Sequence, residues 1–167
     1  MKNRSQGHED HATGRPGVAN LGILRPPLIY LTALGLALLL HSVRPISFRG
    51  LPAGALIGAG IVLVAVGLFL ASTSSFRAAG TPVPGNRPTT TIVCGGPYRF
   101  SRNPIYLAFS LLLLGISLWA GTAWLLLTLA AAVGIMNFVV IPREERYLEA
   151  RFPAEYLPYK ASVRRWL

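Results

Sequence analysis

Four apolar stretches dominate this sequence, and none of them contains an Asp, Glu, Lys or Arg residue. They cover residues 26–41, 51–71, 104–120 and 123–141. Only 13% of the chain is charged, whereas about 25% is charged in typical soluble domains. A chain of 167 residues could not cover so much apolar surface in water. The sequence therefore predicts an all-α integral membrane protein with about four transmembrane helices.

The connections between these stretches differ in length. Only Gly121 and Thr122 separate the last two stretches, so we expect an antiparallel helical hairpin there. Residues 72–103 separate the second stretch from the third, and their many Pro and Gly residues predict a loop without regular helix. A loop of that length in a small protein usually has a function.

The two ends of the chain are polar. Residues 1–24 have no apolar period, which predicts a mobile tail, and residues 25–167 are expected to form a single domain. Residues 142–167 combine Arg and Glu with aromatic side chains at near-helical spacing. We expect this C-terminal segment to be amphipathic and to lie along the cytoplasmic membrane surface.

Basic residues are concentrated on one side of the predicted bundle. With four spans, both tails and the 72–103 connection share a side, which then carries 14 of the 16 Lys and Arg residues. The positive-inside rule makes this side cytoplasmic, so both termini are expected in the cytoplasm. Membrane orientation and anionic lipids therefore explain the net charge of +10 better than nucleic acid does.

Several kinds of function are disfavoured by what the sequence lacks. The apolar stretches contain no ionisable residue except His41 at a boundary, whereas a transporter or pump normally needs such groups within the bilayer. A single cysteine, Cys94, excludes an intrachain disulfide and a Cys-based zinc site. His8 and His11 lack further metal ligands nearby, so no metal site is predicted.

Polar side chains that can bind a ligand meet at the cytoplasmic end of the predicted hairpin. Asn103 and Tyr106 share one helix face, and Pro104 in the first turn leaves free N–H groups that favour an anion. Glu144 and Glu145 can accept hydrogen bonds from hydroxyls or stabilise a cation. S-adenosylmethionine carries a carboxylate, a ribose diol and a positive centre, and it would match such a site. Ordinary interfacial anchors and ion pairs would equally account for these residues.

The segment GPYRFSRNPIYLAFSLLLLG, followed by PREE and RFPAEYLPYK, resembles the isoprenylcysteine carboxyl methyltransferase family, and phospholipid methyltransferases look similar. That family is characterised by Arg-His-Pro-x-Tyr, a variable gap and Glu-Glu. This chain has Arg102-Asn103-Pro104-Ile105-Tyr106 and then Glu144-Glu145. The resemblance covers about residues 77–167 and departs from the pattern at Asn103, which cannot act as a general base near neutral pH.

The resemblance implies an S-adenosylmethionine-dependent membrane methyltransferase whose lipophilic acceptor enters from the bilayer. It implies a set of cofactor-binding residues: Tyr98, Arg99, Arg102, Asn103, Pro104, Tyr106, Glu144 and Glu145. Arg102 and Asn103 would hold the amino-acid end of the cofactor, and Glu144 or Glu145 would hold the ribose. Arg102, Glu144 and Glu145 are also the candidates for assisting catalysis.

Two other functions remain open at this stage. Sterol reductases are similar around the Arg-x-x-x-Tyr segment and use NADPH, although this chain lacks a glycine-rich dinucleotide motif. A non-catalytic membrane partner protein is the other alternative, with Gly54 and Gly58 as a small-residue pair for close helix packing. The acceptor is an isoprenylcysteine carboxylate-like group, a lipid headgroup or another lipophilic acid or thiol. The sequence does not indicate the oligomeric state.

Overall fold

A computed structural model of the protein describes residues 25–48, 53–83 and 90–167. The predicted N-terminal tail, 1–24, and the predicted start of the second apolar stretch at Leu51 lie outside the described residues.

The described residues form helices and no strand. The helices are α1 (Pro26–Val43), α2 (Gly54–Ala78), α3 (Pro104–Ala120), α4 (Ala123–Ile135), α5 (Ile141–Arg151) and α6 (Pro153–Ser162), with a 3-10 turn at Gly96–Arg99 and a π-helical turn at Met136–Val140. The prediction of an all-helical protein is thus confirmed for this part of the chain.

Three helical stretches are long and apolar enough to cross a membrane. They are α1, α2 and the continuous helix from Ala123 to Arg151 that joins α4, the π turn and α5. The fourth apolar helix, α3, has 17 residues. Its bounds match the prediction, since Pro104 begins it and Gly121, with φ of 65°, ends it in the left-handed conformation.

Hydrogen bonds at the two ends of the bundle define how the helices are arranged. At one end, the Tyr30 hydroxyl near the start of α1 donates to the carbonyl of Tyr106 at the start of α3, at 3.1 Å. At the opposite end, the Trp124 indole at the start of α4 donates to the carbonyl of Arg44 after α1, at 2.6 Å. The starts of α1 and α3 therefore lie together, and the start of α4 lies at the far end.

Helices α2 and α3 form the most extensive interface and meet at glycines. A Cβ atom placed on Gly58 would lie 2.5 Å from the amide nitrogen of Trp119 and 2.6 Å from the carbonyl oxygen of Gly115. Only glycine permits so close an approach of two backbones. The small-residue pair on α2 therefore packs within this chain through Gly58.

Helix α2 extends further than expected. The second apolar stretch was expected to end at Ala71, yet the helix continues to Ala78, so the prediction of no helix in residues 72–103 is wrong for residues 72–78. The hydroxyls of Ser72 and Ser75 donate to carbonyls one turn earlier, at 2.6 and 3.0 Å, which satisfies these polar side chains inside a helix. The helix stops just before Gly80, which has a φ of 63°.

The last apolar helix does not end at Ile141 as expected. It continues through the π turn into α5 and reaches Arg151, so Glu144 and Glu145 lie inside a helix. Pro142 would clash with the carbonyl four residues earlier in a regular α-helix, and the wider π turn just before it relieves that contact.

The C-terminal segment is also divided differently from the expected surface segment 142–167. Its first ten residues belong to α5, which ends before Phe152-Pro153 because a residue that precedes proline disfavours the helical conformation. Helix α6 follows and ends at Ser162. Val163 is extended, and the chain then returns to the start of α3.

Candidate active site

The start of α3 faces α5 across two side-chain contacts. The Tyr106 hydroxyl donates a hydrogen bond of 2.7 Å to Oε1 of Glu144. The Arg102 guanidinium forms an ion pair of 3.0 Å with Oε1 of Glu145. Consecutive residues on a helix point about 100° apart, so each carboxylate meets a different partner. The structure thus brings together Arg102, Tyr106 and both glutamates.

Arg102 is nearly enclosed, and one of its donors has no partner. Its side chain is 10% exposed, and its NH1 atom forms the ion pair with Glu145 and donates a hydrogen bond of 3.4 Å to the Tyr156 hydroxyl. The Nε atom is buried and makes no hydrogen bond among the described residues. A buried donor without a partner costs free energy, so such an atom marks a place where a ligand could bind.

Glu145 is held by two guanidinium groups. Arg165 donates to it through Nε at 3.1 Å and NH2 at 2.7 Å, one bond to each carboxylate oxygen. Arg102 contacts Oε1 from the other side. The residue is only 6% exposed. Both oxygens of this buried carboxylate are therefore engaged by the protein itself.

Glu144 lies in a different environment. It lies three residues after Ile141 and thus beyond the apolar stretch 123–141. Burial raises the pKa of its carboxyl to about 7, against a smaller opposing effect of the Tyr106 hydrogen bond. The carboxyl can therefore accept or release a proton near neutral pH.

Tyr98, Arg99 and Pro104, which were also predicted to bind the cofactor, lie in different surroundings. Tyr98 is buried, packs edge-on against Phe76 with ring centroids 5.2 Å apart, and its carbonyl accepts a 2.8 Å hydrogen bond from Tyr159. Arg99 is exposed, and no ion pair among the described residues includes it. Pro104 is buried in the first turn of α3. Tyr98 and Pro104 are therefore buried, whereas Arg99 lies outside the buried cluster.

Asn103 is engaged by the C-terminal end of the chain. Its Nδ2 atom donates to the carbonyl of Arg165 at 3.0 Å, and its backbone N–H donates to the Ser101 hydroxyl at 3.1 Å. It provides no side-chain cap for α3. Among the described residues, no group of three or more His, Cys, Asp or Glu side chains could hold a metal ion.

A sequence profile described as phospholipid methyltransferase matches residues 54–155. The match covers more than half of the chain. The chain belongs to the phospholipid methyltransferase family. The family implies a methyltransferase, and the three long apolar helices indicate a membrane protein. The suspected resemblance to this group of methyltransferases is therefore confirmed.

Two curated relatives match shorter parts of this phospholipid methyltransferase family member. A Haemophilus influenzae protein described as uncharacterized is 43% identical over 63 residues, which are 38% of this chain and 100% of that protein. The cobalt-zinc-cadmium resistance protein CzcN of Cupriavidus metallidurans is 36% identical over 72 residues, which are 42% of this chain and 33% of that protein. No solved structure matches the chain significantly.

Several residues of this cluster were not identified from the sequence. They are Asn137, Tyr156, Arg165 and Trp166, together with the backbone carbonyl of Arg164. Asn137 was detectable in principle, because it is the only amide side chain in the last apolar stretch. The residues from Arg164 onwards lie outside the matched family region, and no spacing rule links them to α3.

Proposed function

We propose that this family member transfers a methyl group from S-adenosylmethionine to a lipophilic acceptor at the cytoplasmic membrane face. The observation that carries the proposal is the buried pairing of Arg102 with Glu145 beside the pairing of Tyr106 with Glu144. Bound S-adenosylmethionine would supply an electrophilic methyl group on a sulfonium centre. The first residues of α3 and the middle of α5 would form its site.

We further propose that residues 25–167 form one domain in which α1, α2, α3 and α4 all cross the bilayer, with α3 and α4 as an antiparallel hairpin. At 1.5 Å per residue, α3 is about 26 Å long, close to a hydrocarbon core of about 30 Å. Trp119 at its end is 63% exposed, as expected for an interfacial aromatic side chain. Both termini and the cofactor site would then be cytoplasmic, with α6 at the surface.

The residues present suit the amino-acid end of the cofactor. Within residues 25–48, 53–83 and 90–167, the buried Nε donor of Arg102 has no partner, and α3 begins beside it without a side-chain cap. A guanidinium and a helix N-terminus both favour a carboxylate. Tyr98 and Pro104 would line this part of the site, and Asn103 would stand at its edge. Arg99 would contact the cofactor only from the exposed loop side.

The two glutamates would have different roles. Glu145 already binds two arginines, so we assign it to holding Arg102 in place. Glu144 has one oxygen bonded to Tyr106 and can accept hydrogen bonds from ribose hydroxyls or take a proton from an ammonium acceptor. A carboxylate or thiolate acceptor needs no base, and the protein then contributes alignment and exclusion of water. In either case Asn103 transfers no proton.

A groove between α1 and α4 supports a lipophilic acceptor. It has a volume of about 550 Å³ and is lined by apolar side chains and two threonines: Leu28, Ile29, Thr32, Ala33, Leu36, Leu40, Trp124, Leu127, Thr128, Ala131, Ala132 and Ile135. Its rim includes strongly exposed leucines, such as Leu127 at 59%. In a bilayer this surface faces lipid, so a hydrocarbon chain could enter it sideways while its polar end reaches the cytoplasmic face.

Binding of S-adenosylhomocysteine to purified protein in detergent tests the cofactor assignment. We expect saturable binding that Arg102→Ala or Glu144→Ala weakens at least about tenfold, since each removes a hydrogen-bonding group of a buried site. Arg143→Ala is the control, because Arg143 is an exposed neighbour on α5. A folded protein without measurable binding would contradict the proposal, and NADPH binding in its place would favour a reductase.

Radiolabelled methyl transfer into a total lipid and peptide extract, followed by identification of the labelled product, would define the acceptor. Label in a lipid headgroup or in a carboxyl methyl ester would separate the two main acceptor classes. Loss of label in Glu144→Ala, with Arg143→Ala unaffected, is the expected result. Retention of cellular function in Glu144→Ala would favour a non-catalytic partner protein.

A further inference from the structure

The last residues of the chain return to the site from outside the matched family region. After α6 ends at Ser162, Val163 has φ of −121° and ψ of 134°, so the chain is extended. We define the C-terminal strap as residues Arg164–Trp166. The matched family region ends at residue 155, so the strap lies beyond it.

The strap is bonded to the three residues that precede α3. The backbone N–H of Arg102 donates to the carbonyl of Arg164 at 2.9 Å. The next carbonyl, that of Arg165, accepts from Nδ2 of Asn103 at 3.0 Å and from the Ser101 hydroxyl at 3.4 Å. The Asn103 side chain thus donates to the strap. Asn103 occupies the position where the isoprenylcysteine carboxyl methyltransferase family, which the sequence resembles, has histidine.

The side chains of the strap reach the opposite wall of the site. The Arg165 guanidinium forms a two-pronged contact with Glu145, and its NH1 atom lies 3.4 Å from Oδ1 of Asn137. The Trp166 indole donates to the same Oδ1 atom at 3.2 Å. Asn137 belongs to the π turn, which therefore places a polar side chain between the apolar helix α4 and the charged helix α5.

The arrangement determines which donors of Arg102 remain available. Because Arg165 occupies both oxygens of Glu145, Arg102 contacts this carboxylate through NH1 alone, and its Nε atom has no hydrogen-bond partner in the described part of the chain. Two guanidinium groups and one carboxylate also leave one net positive charge in a cluster in which Arg102 and Glu145 are nearly buried and the Arg165 side chain is 32% exposed. Such a cluster is stabilised when an anionic group binds to it.

We propose that Arg165 is a positioning residue that directs the free edge of Arg102 towards the carboxylate of the methyl donor, and that Asn103 holds the strap in place. The proposal rests on the proposed methyltransferase function. Arg165 does not touch the reacting atoms and acts through Glu145 and Arg102. Without Arg165, Arg102 could turn its whole fork onto Glu145 and withdraw its free donor from the ligand.

A matched pair of substitutions tests this role. Arg165→Gln removes the contact with Glu145. Arg164→Gln changes an exposed side chain, because Arg164 contacts the site only through its backbone carbonyl. We expect Arg165→Gln to weaken S-adenosylhomocysteine binding by about 10- to 100-fold, the effect typical of losing hydrogen bonds between charged groups. Arg164→Gln should bind like the wild type, and Arg165→Lys should recover part of the loss because it restores the charge without the fork.

A second measurement does not depend on the methyltransferase assignment. Hydrogen exchange at the Arg102 amide reports the bond to the Arg164 carbonyl, and we expect Arg165→Gln and Asn103→Ala, but not Arg164→Gln, to accelerate it. In kinetics, Arg165→Gln should raise KM for the methyl donor more than it lowers kcat, as expected for a residue that positions the ligand.

The two measurements separate failure of this proposal from failure of the proposed function. If Arg165→Gln and Arg164→Gln have equal affinity and equal exchange, the positioning role is refuted. If the wild type binds no S-adenosylhomocysteine, the proposed function and the ligand-directing role both fail. Exchange at the Arg102 amide then still decides whether Arg165 holds the strap.

Discussion

Replacing Gly58 by alanine should destabilise the contact between α2 and α3. The new Cβ atom would lie 2.5 Å from the Trp119 nitrogen and 2.6 Å from the Gly115 oxygen, whereas ordinary contacts of a Cβ begin at 3.4 Å. Both neighbours are backbone atoms, which cannot rotate away as a flexible side chain can. The helices would therefore have to separate by nearly an ångström.

The expected magnitude combines two opposing effects. Alanine favours the helical conformation by about 1 kcal/mol over glycine. Overpacking costs about 1–3 kcal/mol in a well-packed interior, and a clash with rigid backbone belongs at or above the upper end of that range. The difference between the two effects leads us to expect that Gly58→Ala lowers the free energy of unfolding by about 2 kcal/mol or more.

Gly60→Ala is the matched control on the same helix. Nothing lies within 4 Å of a Cβ at Gly60, so this substitution should be neutral or stabilising by up to about 1 kcal/mol. Both variants would be compared with the wild type by equilibrium unfolding in mixed detergent micelles, followed by tryptophan fluorescence and circular dichroism. Equal stabilities of the two variants would refute the packing argument.

The protein concentration provides a further control. Close packing within one chain predicts that the loss in Gly58→Ala is the same at all protein concentrations. If Gly58 instead packed against a second copy, the loss would depend on concentration. Such a dependence would contradict the intrachain contact.

Three further outcomes are expected. The Tyr106 hydroxyl stabilises the Glu144 carboxylate, so its loss in Tyr106→Phe should raise the pKa of Glu144 further from its value of about 7. For an ammonium acceptor, the rising limb of the pH dependence of kcat/KM should then shift to higher pH by about one unit. An unshifted limb would exclude Glu144 as the base. Ala131→Trp should fill the groove and raise KM for the lipophilic acceptor while cofactor affinity is unchanged. Ala130→Trp, next to the groove, should leave this KM unchanged, and equal KM values in the two variants would exclude the groove as the acceptor site. Exposed Cys94 should react with a membrane-impermeant maleimide in inside-out vesicles and not in intact cells; the reverse result would contradict the cytoplasmic placement of the site.

The sequence predicts the apolar helices well where local signals agree. In α3, Pro104 and Gly121 coincide with the two ends of a charge-free stretch, and both ends are correct. In α2, the fall in hydrophobicity after Ala71 suggested an end, but serine hydroxyls bonded to the helix backbone carry it to Ala78. Hydropathy therefore locates the lipid-facing part of a helix better than it locates the end.

The missed parts of the candidate site depend on contacts between residues distant in sequence. Asn103 and Arg165 are separated by 62 positions, and no periodic pattern connects them. The last apolar stretch was expected to end at Ile141, just before Pro142, whereas the π turn lets the helix continue past that proline. A resemblance can indicate which residues matter, but the partner of each one is decided by the fold.

The pair Glu144-Glu145 illustrates how the fold divides two identical neighbours. Glu145 meets two guanidinium groups and Glu144 meets a phenol, so one carboxylate is held in place by arginines while the other can exchange a proton near neutral pH. Single substitutions should therefore separate two functions that a double alanine variant would merge. Glu144→Gln should lower the rate with the Arg102 amide still protected from exchange, whereas Glu145→Gln should release the strap and lose that protection. If both variants lost rate and protection together, the division of roles would be wrong, and the two carboxylates would act as one unit.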